Sequence, residues 1–69
     1  MEETEHKKFM KMVLEESRLA FDRGDGPIGC VIVHNEQVIS RGGNMVRTSG
    51  CKLDHAEMVA IKDSAGYKI

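Results

Sequence analysis

Residues 26–34 carry the sequence Gly-Pro-Ile-Gly-Cys-Val-Ile-Val-His, which contains the longest uninterrupted apolar run of this 69-residue chain. Such a run of β-branched side chains predicts a strand over residues 28–34 that is covered on both faces. The pair Asn35-Glu36 can form a tight turn, and residues 37–41 then predict a shorter second strand. The centre of the sequence is therefore expected to be a β-hairpin.

An amphipathic helix is expected before this hairpin. Residues 4–23 repeat apolar side chains at helical spacing, and Gly24 offers a C-terminal stop. Glutamates near the start of this segment suit the positive end of the helix dipole. The face expected to be buried consists of Phe9, Met10, Val13, Leu14, Ser17, Ala20 and Phe21.

A second helix is expected after the hairpin, from Asp54 to Gly66. Asp54 and Glu57 have the spacing of a capping box, in which each side chain bonds a backbone N–H of the other residue. Residues 42–53, with three glycines, predict a loop, and residues 67–69 look like the start of another strand. The order helix, strand, strand, helix leaves an open sheet edge and an incomplete core.

Composition excludes several classes of protein. Ten basic and eleven acidic residues give a net charge of −1, so no overall attraction to nucleic acid or anionic membrane is expected. No apolar run approaches the ~20 residues of a membrane span. The acidic N-terminus is unlike a secretory signal, and two cysteines make no disulfide framework. A cytoplasmic protein with reduced thiols is expected.

The triplet His55-Ala56-Glu57 is the most informative chemical pattern. Zinc deaminases carry H-x-E, followed later by P-C-x-x-C: the His binds zinc, and the Glu is the general acid/base rather than a ligand. On its own the triplet is common. Glu57 could simply cap the helix, and His55 could be a surface side chain of its first turn.

Three stretches strengthen the pattern: residues 26–33, residues 42–44 (Gly-Gly-Asn) and residues 54–61 (Asp-His-Ala-Glu-Met-Val-Ala-Ile). Their order and spacing resemble the cytidine and deoxycytidylate deaminase superfamily, nearest to its cytosine, guanine and tRNA adenosine deaminases. The resemblance runs from about Phe9 to Ala65. It implies an α/β fold, a partial cytidine-deaminase-like α/β/α sandwich, with residues 1–69 forming a single truncated domain, the N-terminal half.

The resemblance also implies roles for individual residues. His55 matches a zinc ligand, Glu57 the proton-shuttling acid/base, and Asn44 a residue that hydrogen-bonds the substrate base. Ala56 offers a backbone N–H to a ring acceptor, and Ile28 lines the pocket. The implied reaction is attack of zinc-bound hydroxide on the amino-bearing ring carbon of a nucleobase or nucleoside, with loss of ammonia. Transfer RNA is a further candidate partner.

The sequence also departs from the family pattern. Its sole proline is Pro27, so no Pro-Cys-x-x-Cys is present, and two expected zinc ligands are lacking. The chain is therefore expected to be catalytically incomplete by itself. Cys51 and His55 have a spacing that could hold a metal, but without further ligands a free thiol is the better interpretation of Cys51. Cys30 is interpreted as a small buried hydrophobe.

Two alternatives from other functional classes stay open. One is a non-catalytic interaction protein, derived from a deaminase fold, that associates through its open sheet edge as a homo-oligomer. The other is a nucleic-acid-binding remnant. Near-neutral charge and only three aromatic residues speak against the second, because single-strand binders combine a basic groove with stacking rings.

Overall fold

The computed structural model describes residues 3–67, which form three helices and a two-stranded sheet. In chain order the elements are α1 (Glu3–Arg23), β1 (Gly29–His34), β2 (Gln37–Gly43), α2 (Val46–Ser49) and α3 (Ala56–Asp63). Among these residues no helix has both the length and the apolar content needed to cross a membrane.

The predicted β-hairpin is present, with β1 and β2 paired antiparallel from Gly29↔Gly43 to His34↔Gln37. Its turn has φ angles of 51° at Asn35 and 63° at Glu36. Two consecutive left-handed residues match the twist of the flanking strands, which explains why so short a turn suffices. Strand β2 runs to Gly43, two residues beyond the predicted end.

A helix packs on each face of the hairpin, giving the expected α/β/α arrangement. Adjacent strand residues point to opposite faces. A Cβ at Gly43 would lie 3.2 Å from the Ala20 side chain of α1, whereas one at Gly42 would lie 2.9 Å from the Ala60 nitrogen of α3. The sheet glycines therefore let both helices approach the backbone closely.

The buried face of α1 is narrower than predicted. Phe9 and Ala20 are buried, but Met10, Leu14 and Phe21 are 57%, 64% and 66% exposed. The helix meets the sheet through Val13, Glu16, Ser17 and Ala20. Because α1 contacts the strand glycines only along this narrow line, the apolar side chains on either side of the line stay exposed. Strand β1 is likewise half-buried along its length rather than fully covered.

The capping-box prediction was wrong. Helix α3 begins at Ala56, with His55 as its N-cap and no side-chain capping hydrogen bond. The Asp54 carboxylate instead accepts a hydrogen bond from Lys62, eight residues later. Asp54 lies one position before the N-cap, so it cannot act as the capping residue, and Glu57, at the second helical position, lies one position too early to complete the motif.

The predicted loop over residues 42–53 is partly ordered structure. Its first two residues belong to β2, and α2 forms a single turn that ends at Gly50, whose φ is 74°. Helix α3 ends at Asp63, three residues before the predicted stop, and the chain then makes a turn through Gly66, whose φ is 96°. Tyr67 is not in a strand, and residues 68–69 of the predicted strand lie outside the described residues.

Candidate active site

Three separate segments meet at one end of the sheet. The Asn44 backbone N–H donates to the Ile28 carbonyl at 2.9 Å, and the Met45 N–H donates to the Asp54 carbonyl at 2.9 Å. These two hydrogen bonds join the start of β1, the end of β2 and the residues that lead into α3. All five predicted site residues therefore belong to segments that converge at this end: Ile28, Asn44, His55, Ala56 and Glu57.

Asn44 is buried, and the orientation of its amide is determined by its neighbours. Its Oδ1 accepts a hydrogen bond from the Val46 backbone N–H at 3.0 Å. The amide nitrogen therefore lies on the other side, where a Cβ at Gly26 would be only 3.5 Å away. The hydrogen bond to Oδ1 therefore fixes which side of the amide carries the NH₂ donors.

The residues of the triplet differ in burial. His55 and Glu57 are exposed at the start of α3, while Ala56 between them is buried. The first N–H groups of a helix have no intrahelical partner, and the Ala56 N–H is one of them. The carboxylate of Glu57 lies in the first turn, where the helix dipole favours negative charge.

Cys30 lies on the side of β1 that faces α3, because its partner across the hairpin, Gly42, contacts that helix. Burial raises the pKa of the Cys30 thiol, and the nearby negative charge of Glu57 raises this pKa further. The thiol is half-buried rather than fully buried as predicted. Cys51, in contrast, is an exposed thiol.

A buried carboxylate behind Asn44 was missed by the sequence analysis. The Asp25 side chain is fully buried. It accepts hydrogen bonds from the Thr48 N–H at 2.8 Å, the Thr48 hydroxyl at 2.6 Å and Arg23 Nε at 3.1 Å. Arg23 Nη2 in turn donates to the Asn44 carbonyl at 3.1 Å. We call Arg23, Asp25 and Thr48 the Asp25 cluster.

The hydrogen bonds of this cluster stabilise the ionised carboxylate. The hydroxyl of Thr48, followed by its backbone N–H and by Arg23, holds the pKa of Asp25 below its ordinary value against the opposing effect of burial. In sequence Asp25 looks like an ordinary loop residue between two glycines. Nothing local marks Thr48, 23 positions away, as its partner.

The sequence of this chain matches a known protein family. The model of the cytidine and deoxycytidylate deaminase zinc-binding region matches residues 3–68. The chain belongs to the cytidine and deoxycytidylate deaminase family. The predicted resemblance is thereby confirmed, and the deaminase motif on α3 lies within the matched residues.

Relatives of this deaminase-family chain come from the tRNA adenosine branch. A tRNA-specific adenosine deaminase of Aquifex aeolicus is 39% identical over 81% of this chain and 37% of the relative. That of Bacillus subtilis is 34% identical over 88% of this chain and 38% of the relative. A solved chain from work on A-to-I editing by tRNA:A34 deaminases superposes with a TM-score of 0.83, at 38% identity. The match covers 87% of this chain and 46% of the solved one.

The chain therefore spans less than half the length of these deaminase relatives. The superposition confirms the deaminase-like α/β fold of the described residues. The tRNA substrate in the names of these relatives is the substrate of those longer proteins.

The matching family model describes a zinc-binding region. Within residues 3–67 no three His, Cys, Asp or Glu side chains lie together in a way that could hold a metal ion. Zinc in proteins is held by several side chains, and His55 is a single imidazole. The donor set of the described residues does not fit zinc on its own. A zinc ion at His55 would need ligands from outside them.

Proposed function

We propose that the protein containing this chain is a hydrolytic deaminase acting on adenosine in tRNA. The observation that carries the proposal is the convergence of Ile28, Asn44 and the His55–Glu57 triplet at one end of the sheet. The relatives described as tRNA-specific adenosine deaminases support this choice of substrate over cytosine or guanine.

The residues of the site suit the requirements of such a reaction. Water adds to the ring carbon that carries the amino group, the carbon–nitrogen bond breaks, and ammonia leaves. Glu57 accepts a proton from the attacking water and delivers one to the departing amino group. The exposed position of Glu57 at a helix N-terminus leaves its carboxylate open to substrate.

The other residues of the site bind and orient the base. The Asn44 amide nitrogen donates a hydrogen bond to an acceptor on the ring, and the Ala56 N–H provides a second donor. Ile28 is about half exposed and offers an apolar wall. Two hydrogen-bond donors beside an apolar side chain suit a planar ring that carries hydrogen-bond acceptors. A nucleobase is therefore the proposed substrate class.

His55 is proposed as one zinc ligand of the working enzyme. The remaining ligands come from beyond residues 3–67, on the same polypeptide or on another. When bound, zinc would supply a Lewis acid that makes water nucleophilic near neutral pH. The proposed catalyst is therefore the assembled protein that contains both these residues and the remaining zinc ligands.

A Glu57→Gln substitution in the protein at its full natural length tests the proposal. Inosine formation in a tRNA anticodon stem-loop is measured by mass spectrometry. Loss of the proton-transfer group should lower the rate by about 10²- to 10⁴-fold. Free adenosine, cytosine and guanine serve as competing substrates, and deamination of one of these alone would overturn the assignment to tRNA.

The matched control is Glu36→Gln, which neutralises another exposed carboxylate, in the hairpin turn at the opposite end of the sheet. This variant should retain wild-type activity. Full activity in Glu57→Gln would contradict the assigned role.

A second candidate function is non-catalytic self-association. Met10, Leu14 and Phe21 form an exposed apolar stripe on α1, and each strand of the two-stranded sheet has one unpaired edge among the described residues. Apolar stripes and open strand edges commonly mediate association. We infer that the chain forms a homo-oligomer when nothing else covers these surfaces.

A further inference from the structure

Every backbone group of Asn44 has a partner from another segment or from the Asp25 cluster. Its N–H donates to Ile28, at the start of β1, at 2.9 Å. Its carbonyl accepts from Arg23 Nη2, at the end of α1, at 3.1 Å. Its Oδ1 accepts from the Val46 N–H, and its amide nitrogen makes no hydrogen bond among the described residues. Asn44 is therefore held in one orientation.

Arg23 connects Asn44 to the buried carboxylate. Its guanidinium uses Nε for Asp25 and Nη2 for the Asn44 carbonyl, so one rigid, planar group bonds both. Gly43 makes room for this arrangement, because a Cβ there would lie 3.3 Å from Arg23 Nη2. A displacement of the guanidinium would therefore displace the Asn44 backbone.

Asp25 also holds the short helix that follows Asn44. Its Oδ1 and Oδ2 accept from the N–H and hydroxyl of Thr48 in α2. A single turn of helix has little stability of its own. The Asp25 carboxylate thus ties α2 to the end of α1, and the Val46 N–H that orients the Asn44 amide belongs to the same turn.

We propose that the Asp25 cluster is the positioning device of the base-binding Asn44: Asp25 sets the Arg23 guanidinium and the α2 turn, and these two set the direction of the Asn44 amide nitrogen. The inference rests on the proposed function insofar as Asn44 contacts the base. Arg23, Asp25 and Thr48 are positioning residues and do not touch substrate.

The test uses the protein at its full natural length and three substitutions in the Asp25 cluster. Arg23→Lys keeps the charge but cannot bond Asp25 and Asn44 through one planar group. Thr48→Val removes the hydroxyl bond to Asp25, and Thr48→Ser restores it. Arg18→Lys, on an exposed part of the same helix, is the matched control.

Steady-state kinetics with a tRNA stem-loop should show a change in KM rather than in kcat, because a ground-state base contact is weakened. We expect Arg23→Lys and Thr48→Val to raise KM by about tenfold, and Thr48→Ser and Arg18→Lys to leave it near wild type. In an Asn44→Ala background the same substitutions should have no further effect on KM. An equal rise in KM in that background would overturn the proposal.

A second measurement needs no substrate. The side-chain NH₂ resonances of Asn44 in a ¹⁵N-labelled sample should shift in Arg23→Lys and Thr48→Val and return in Thr48→Ser. Unchanged resonances would overturn the positioning role even if the enzyme is active. Absence of deamination in the unmodified protein would instead refute the proposed function, and the NH₂ shift would then alone decide whether the cluster orients Asn44.

Discussion

Asp25 makes the stability of the protein depend on pH in the acid range. Its folded-state pKa lies below the ordinary value of 3.8, so its stabilising effect is fully present above that pH and is lost as pH falls through the folded pKa. Thermal unfolding followed by circular dichroism between about pH 2 and pH 5 should show a Tm that falls with acidification, most steeply below the ordinary pKa of Asp25. In Asp25→Asn the Tm at neutral pH should be lower and this dependence weaker.

The control for this pH profile is Asp22→Asn, which alters an exposed carboxylate three residues earlier. It should keep the wild-type profile. Some pH dependence will survive in Asp25→Asn because Lys62, and then Ser49, also lower the pKa of Asp54. A profile for Asp25→Asn parallel to that of the wild type would show that the Asp25 carboxylate is not stabilised by its cluster.

At the level of the elements, the contact between α1 and β1 depends on Gly29. A Cβ at this position would overlap the Val13 carbonyl oxygen and lie 2.8 Å from Glu16 Cβ and 2.9 Å from the Ser17 nitrogen. Helix backbone cannot yield as a flexible side chain can. Gly29→Ala should therefore lower the free energy of unfolding by about 1–3 kcal/mol, measured by urea denaturation.

Gly26→Ala is the matched substitution for this test. A Cβ at Gly26 meets only the Asn44 side chain, at an ordinary contact distance of 3.5 Å, and the position is exposed. Its stability should stay close to that of the wild type. Equal stability of the two variants would mean that α1 packs on β1 less closely than described.

For the whole molecule, the exposed stripe on α1 predicts self-association of the 69-residue chain. Sedimentation equilibrium should give an average mass that rises with concentration. Leu14→Glu should shift the mass toward the monomer, because a carboxylate in the buried contact would lose its hydration. Lys52→Gln changes the net charge by the same amount in an exposed loop and should leave association unaltered. A constant monomer mass would exclude this second candidate function.

Patterns that are local in the sequence were sufficient to predict the hairpin and α1 and to recognise the family. The β-branched run and the Asn35-Glu36 turn specify a hairpin, and helical spacing specifies α1, because each signal lies within a few neighbouring residues. The triplet His55-Ala56-Glu57 and the Gly-Gly-Asn stretch identified the family for the same reason. The roles of His55, Glu57, Asn44, Ala56 and Ile28, and the cytoplasmic location, stay predictions.

Only the tertiary structure decided which of several possible partners each polar group takes. Asp54 looked like a helix cap but bonds Lys62, and Asp25 looked like a turn residue but binds Thr48 and Arg23. The exposed edge of the α1 stripe was likewise unpredictable, because it follows from how closely Gly29 and Gly43 let the helix approach. Hydrogen bonding and close packing depend on atoms brought together from distant positions, and local periodicity does not encode which ones meet.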